Sequence, residues 1–308
     1  MKKILGIIIL SLLLSGNAYA DNIYKNGQEI EDEIAFSKKI KIELPEGKWT
    51  LATRYEWDYH GLHATSYVLV KVENNELLEA IEVGEFKLGG IVTGQIDPIL
   101  YEIMFKGKYD GCYERPEYFL LKAYAKGHVH NCFKVKHVDI MNDMKFPEDP
   151  ELKGASRTLL NWFKNNSIIV PKISLLSNHS YFSRHMGANW YQISYITNPK
   201  IFNAPKNKFY SEETSEYHKY NIEKFPEHKK IMQKWISISA ERHKKFEENT
   251  KAKKHHKLDL SNYYSKKIKS KDKLSNESIS QIKQLNDLYK AGILTEEEFE
   301  KAKKKILN

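Results

Sequence analysis

The sequence predicts an α+β protein: a body of mainly antiparallel β sheet or sandwich with a few helices, then a basic linker, then a C-terminal two-helix hairpin. Three observations carry that prediction. Apolar and polar residues alternate in short runs from residue 36 to residue 140, the period of a strand with one buried face. Glycine, proline and asparagine punctuate these runs at strand-like spacing, without the alternation of βαβ units. Helical spacing takes over after Asp149, after Pro226 and again from Ser275 onward.

Residues 1–20 read as a secretory signal peptide. Lys2 and Lys3 form a charged start, Ile4 to Leu14 an apolar run, and Ala18-Tyr19-Ala20 a small-x-small pattern that places cleavage after Ala20. The run is too short to span a bilayer as a helix, and no later stretch reaches spanning length. Asp21, not a cysteine, directly follows the cleavage position, so a lipid anchor is not expected. The mature chain is expected in the periplasm or secreted. In such a compartment Cys112 and Cys132, the two cysteines of the chain, are expected to pair. The bond would close a loop of about 20 residues and stabilise by roughly 3 kcal/mol. Free buried thiols and a metal site are the alternatives.

The body spans residues 21–250. Phe36, Ile40, Ile42 and Leu44 alternate with polar neighbours apart from Lys38, and Pro45-Glu46-Gly47 makes a turn. Trp49, Leu51, Thr53, Tyr55 and Trp57 then alternate with Lys48, Thr50, Ala52, Arg54 and Glu56, so the two runs are expected to pair as a hairpin. Alternation continues over 64–73, turns at Asn74-Asn75, and resumes over 76–83. Shorter strand candidates follow at 86–93, 99–105, 118–125 and 133–140. Asp149-Pro150-Glu151 is a helix start, with Leu152, Ala155, Leu159, Trp162 and Phe163 as its apolar face. Strand candidates at 168–176 and 188–197 flank a polar connection at 177–187 that contains His179, Arg184 and His185. Pro226 opens a helix to about Asn249, with Ile231, Trp235, Ile238 and Arg242 on one stripe and Met232, Ile236 and Phe246 alongside.

The last segment, 275–308, is locally self-explanatory. Ile279, Ile282, Leu285, Leu288 and Tyr289 share one helical face. Gly292 occupies the left-handed position that ends a helix. Thr295 with Glu298 makes a capping box, flanked by Leu294 and Phe299 as a hydrophobic staple. Acids 296–298 suit the positive helix start, and lysines 303–305 its negative end. Phe299, Ala302, Ile306 and Leu307 continue the apolar surface.

The run Ile282 to Phe299, with its leucine-spaced helix, Gly-Ile-Leu-Thr and acidic stretch ending in Glu-Phe, resembles the bacterial short C-terminal domain called SHOCT. The resemblance covers about the last tenth of the chain and implies association, not a reaction. Size points the same way: a unit of roughly 35 residues buries too little surface for secure stability without a staple or partner. Ile282, Leu285, Leu288, Tyr289, Phe299, Ile306 and Leu307 are therefore the expected contact residues, against the chain's own body, a second copy or another envelope protein.

Charge excludes nucleic acid as an expected partner. Of the +9 total, two charges leave with Lys2 and Lys3, and nine lysines against two aspartates in 251–273 supply seven. The tail is balanced, so the body is neutral and the excess lies in one linker, 251–274, expected to be flexible. That linker could also hold the chain to an anionic membrane surface. On a strand, His128, His130 and Cys132 share a face and are zinc-type ligands, but the set is incomplete, so no metal is assigned. There is no Gly-x-Ser-x-Gly elbow, zincin helix pair, phosphate loop or dinucleotide fingerprint, so no catalytic residue and no cofactor is assigned. The expected function is non-enzymatic, with the body as a binding or scaffold module. The alternative is a cell-envelope enzyme, possible as a hydrolase, with its site at the 177–187 connection near His179 and His185.

Overall fold

The computed structural model describes residues 24–37, 40–59, 62–88, 112, 117–144, 150–183 and 189–264, together with 285, 289, 295, 298, 299, 301 and 302. They divide into two compact units, Met1–Leu260 and Ser261–Asn308. The first unit is built on two antiparallel meanders. One comprises β4 (Trp49–Tyr59), β5 (Leu62–Glu73) and β6 (Glu76–Leu88); the other β7 (Leu120–Lys126), β8 (Val129–Val138), β9 (Ser174–Ser183) and β10 (Asn189–Thr197). Pairing of β6 with β10 joins them, and β1 (Glu29–Ile30) adds an edge, giving an eight-stranded sheet ordered β1-β4-β5-β6-β10-β9-β8-β7. The turns follow the expected chemistry. Asn74 and Asn75 have φ of 51° and 61°, and Gly127 and His128 have 58° and 63°, the positive values that two-residue hairpin turns need.

The first expected hairpin is corrected. The run from Phe36 to Leu44 does not form one strand paired with Trp49–Trp57. Instead β2 (Glu33–Ser37) and β3 (Ile40–Glu43) pair with each other as a separate two-stranded sheet. Ile34 lies opposite Ile42 and both are buried, so this pairing makes its own apolar face. The register of the pair shifts between Ala35 and Ser37, just before the point where the alternation fails in the sequence.

Among the described residues three α-helices complete the body: α1 (Ile140–Asp143), capped by Asp139, α2 (Pro150–Asn165) and α3 (Pro226–Asn249). The sheet separates two cores. Val70, Ala80, Ile196 and Leu176 lie in register across β5, β6, β10 and β9. Leu159, Trp162 and Phe163 of α2 pack on this apolar row, with Val138 and Ile140. On the other face Tyr67, Val83, Ile193, His179 and Phe133 form the corresponding row. It meets α3, whose Arg242 guanidinium lies 4.4 Å from the Tyr195 ring centroid and 5.3 Å from that of Trp235.

The chain does not leave the body at Thr250. Ala252, His256 and Leu260 are buried, so the first lysines of the expected linker belong to a packed segment. Among the described residues no helix is long and apolar enough to cross a membrane.

Candidate functional site

The most connected polar site lies between β8, β9 and the C-terminal half of α3. Antiparallel register puts Asn131 opposite Tyr181, and Phe133 opposite His179. On α3, His243 and Glu247 stand one turn apart, continuing the buried stripe Met232, Trp235, Ser239. The rings of Phe133, His179 and His243 gather at centroid separations of 5.0–5.2 Å. Ser177, His179 and His243 have zero solvent exposure, as does Asn131.

One hydrogen-bonded chain runs through them. Ser177 Oγ is 3.1 Å from His179 Nε2, and His179 Nδ1 is 3.0 Å from His243 Nδ1. His243 Nε2 faces Asn131 Oδ1 at 3.1 Å and Glu247 Oε1 at 3.5 Å. The Asn131 amide donates to Glu247 Oε1 at 2.7 Å and to the His256 carbonyl at 2.9 Å. The Leu258 N–H donates to the same carboxylate oxygen at 2.8 Å.

The acceptors at one end set the tautomers along the whole chain. His243 Nε2 sees two acceptors, so it carries the proton. In a neutral ring Nδ1 then accepts, so His179 Nδ1–H donates to it. His179 Nε2 is left to accept from the Ser177 hydroxyl. Burial pushes the His179 pKa well below its ordinary range, helped by His243 and Arg242, and burial likewise lowers that of His243 despite the pull of Glu247. Both rings are thus neutral. Burial alone would raise the Glu247 carboxyl, but bonds with His243, Leu258 N–H and Asn131 hold it below its usual range.

A hydroxyl, imidazoles and a carboxylate in series have the residue types of a nucleophilic relay. Here the hydroxyl end is sealed inside the sheet, so the chain acts as a clasp. It fastens α3 and the segment to Leu260 onto β8 and β9. Tyr181 adds a contact of 3.3 Å from its hydroxyl to His256 Nδ1.

On the opposite face, Cys112 and Cys132 form a disulfide with a Cα–Cα distance of 6.2 Å. His130 Nε2 lies 3.7 Å from Cys112 Sγ, and the ligand atoms of these three residues lie within 4.8 Å of one another. His130 and Cys132 are buried and Cys112 is half-buried. Burial drives the His130 pKa down to about 3. The expected grouping of His128, His130 and Cys132 is corrected: β8 begins at Val129, and His128 sits in the turn before it.

In the second unit the expected capping box is closed. Glu298 N–H donates to Thr295 Oγ1 at 3.3 Å, and Thr295 N–H donates to Glu298 Oε2 at 2.9 Å. The Tyr289 and Phe299 rings stack at 5.0 Å and 22°. Leu285 and Phe299 are half-buried, and Tyr289 is 38% exposed. Ile282, Leu288, Gly292, Ile306 and Leu307 lie outside the described residues.

The 177–187 connection is corrected as well. His179 is not on a loop but at the centre of β9, fully buried, while Arg184 and His185 lie outside the described residues. Asn131, His243, Glu247 and His256 were missed by motif reasoning because no local spacing ties Asn131 or His256 to the pair on α3. The available signal was the seven-residue step from Ile236 to His243 and the i, i+4 His243–Glu247 pair on a helix already read as amphipathic.

With this geometry in view, residues 280–307 match the SHOCT family, described as Short C-terminal domain, and no family matches the body. No curated protein and no solved structure matches the chain. The chain therefore combines an antiparallel α+β body with a C-terminal segment similar to SHOCT domains.

Proposed function

We propose that this chain is an exported, non-enzymatic protein that associates through its C-terminal hairpin, with the β body as a scaffold or binding module. The observation that carries the reading is the SHOCT match over residues 280–307, within which the Thr295–Glu298 cap is closed and Tyr289 and Phe299 stack. A closed cap supports a formed helix start rather than a structureless tail. The stack leaves Tyr289 partly open, an aromatic surface suited to burial against a partner. Export is supported by the residue 1–20 leader pattern and by the disulfide. A non-enzymatic body is supported by the burial of its Ser177–His179–His243 series, which keeps the hydroxyl from substrate.

The test removes residues 274–308 and compares masses by light scattering. Self-association predicts that the full chain has a multiple of the monomer mass and the truncated chain does not. If the full chain is monomeric, affinity capture from envelope extract with full and truncated bait decides for or against a different partner. Equal capture by both baits defeats the hairpin's role. N-terminal sequencing of envelope protein is expected to begin at Asp21, and a chain retaining Met1 in the cytosol overturns export.

A further inference from the structure

We propose that Cys112, Cys132 and His130 form a redox-gated site for a soft divalent cation of the zinc class, closed as the disulfide and opened when a dithiol reduces it. The geometry suits that ion. A tetrahedral centre with zinc–sulfur and zinc–nitrogen bonds of about 2.3 and 2.0 Å places sulfur and nitrogen about 3.5 Å apart. His130 Nε2 and Cys112 Sγ are already 3.7 Å apart. The nitrogen facing the sulfur is the one that would bind, and the three ligand atoms lie within 4.8 Å of one another.

Charge favours the same ion. Two thiolates and a neutral imidazole exactly offset a divalent charge at a buried position, whereas two bare thiolates there would be costly. Half-exposed Cys112 gives the reductant and the ion a route in, and a water can take the fourth position. Hard oxygen-seeking cations are disfavoured by the sulfur pair.

The chemistry balances in two steps. The protein disulfide takes two electrons and two protons from a small dithiol, which leaves as its own disulfide. The resulting Cys112 and Cys132 thiols then bind the cation and release two protons.

Cobalt(II) is the probe, added to the intact protein before and after reduction by a water-soluble phosphine that does not bind it. The reduced chain, checked for retained far-ultraviolet circular dichroism, is expected to take up one cobalt with thiolate charge-transfer bands and tetrahedral d–d bands. The oxidised chain is expected to show neither. His130→Gln and Cys112→Ala are each expected to weaken binding by about tenfold or more. Zinc is expected to displace cobalt and to raise the melting temperature of the reduced chain alone. The proposal is overturned by the absence of thiolate–cobalt bands in reduced, folded wild type. It is equally overturned if binding appears only in unfolded chain, or if the Cys112→Ala and His130→Gln variants bind as tightly as wild type.

Discussion

Beneath α2 the sheet offers Val70, Ala80, Leu176 and Ile196 to Leu159, Trp162 and Phe163; beneath α3 it offers Ser177, His179 and Asn131 to His243 and Glu247. The same strands supply both surfaces, one residue out of phase. The α2 face is held by apolar burial, which is non-directional and insensitive to proton concentration. The α3 face is held by a directional chain that requires one tautomer of each ring and both rings neutral. The lesson is that one sheet can carry a face that tolerates change in shape and a face that tolerates almost no change in charge.

Acid should separate the two faces most strongly. His137, His179 and His243 lie on the α3 face, and burial lowers each of their pKa values, that of His137 to about 4, while on the other face His130 beside the disulfide is lowered to about 3 and adds to the same acid loss. The unfolded chain therefore binds more protons than the folded one below pH 6.5, so stability falls as pH falls. For His137, held near 4, the loss between pH 6.5 and pH 5 is roughly 1.5 kcal/mol, and His179 and His243 act in the same direction. Glu247 acts in the same direction at lower pH, because its folded carboxyl is held down and its contribution disappears on protonation. Urea midpoints across this range check the slope. A flat profile would mean that the rings admit protons without loss of structure.

Single substitutions come next in size. Phe163→Ala empties a buried position under α2 and is expected to cost about 3–5 kcal/mol, equally at neutral and mildly acidic pH. Glu247→Gln keeps the shape of its side chain but loses charge-assisted bonds to Asn131 and Leu258 N–H, at an expected cost of about 1.5–3 kcal/mol. The second readout is hydrogen exchange at the Leu258 amide, which should quicken in Glu247→Gln by more than its loss of global stability. In Phe163→Ala it should follow global stability alone. If the two variants change Leu258 alike, the clasp is not specific to the α3 face.

This contrast also explains what could be read from the chain. The α2 face followed ordinary patterning: Leu159, Trp162 and Phe163 recur at helical spacing after the Asp149-Pro150 start, and α2 begins at Pro150. Helix α3 was equally plain, from Pro226 to Asn249. Strand β9 was not. Its residues Ser177, Asn178, His179 and Ser180 are polar on both faces, so alternation is lost and the segment looks like a loop. Its burial depends on partners far along the chain, above all His243, which no short window contains. Strand order was illegible for the same reason, since β6 pairs with β10 more than 100 residues further along the chain. Cys112 and Cys132 were pairable from number and compartment, but the approach of His130 to the bond needed the register of β8.

The C-terminal unit is the extreme case of local legibility, and the smallest expected effect tests it. Thr295→Ala removes the hydroxyl that accepts from Glu298 N–H, which should cost about 1 kcal/mol of helix stability. The Thr295 backbone N–H, with its side-chain hydroxyl second, holds the exposed Glu298 carboxyl below its usual range. Loss of the hydroxyl should therefore move that carboxyl upward, part of the way to its ordinary value, as followed by carbon-detected titration. The backbone donor remains, so full recovery is not expected. Because the cap is made within four consecutive residues, the body's urea midpoint and its acid slope should not change. A shift in either would mean that helix formation after Thr295 is linked to the α3 face. In that case the hairpin would draw on long-range contacts, just as β9 does.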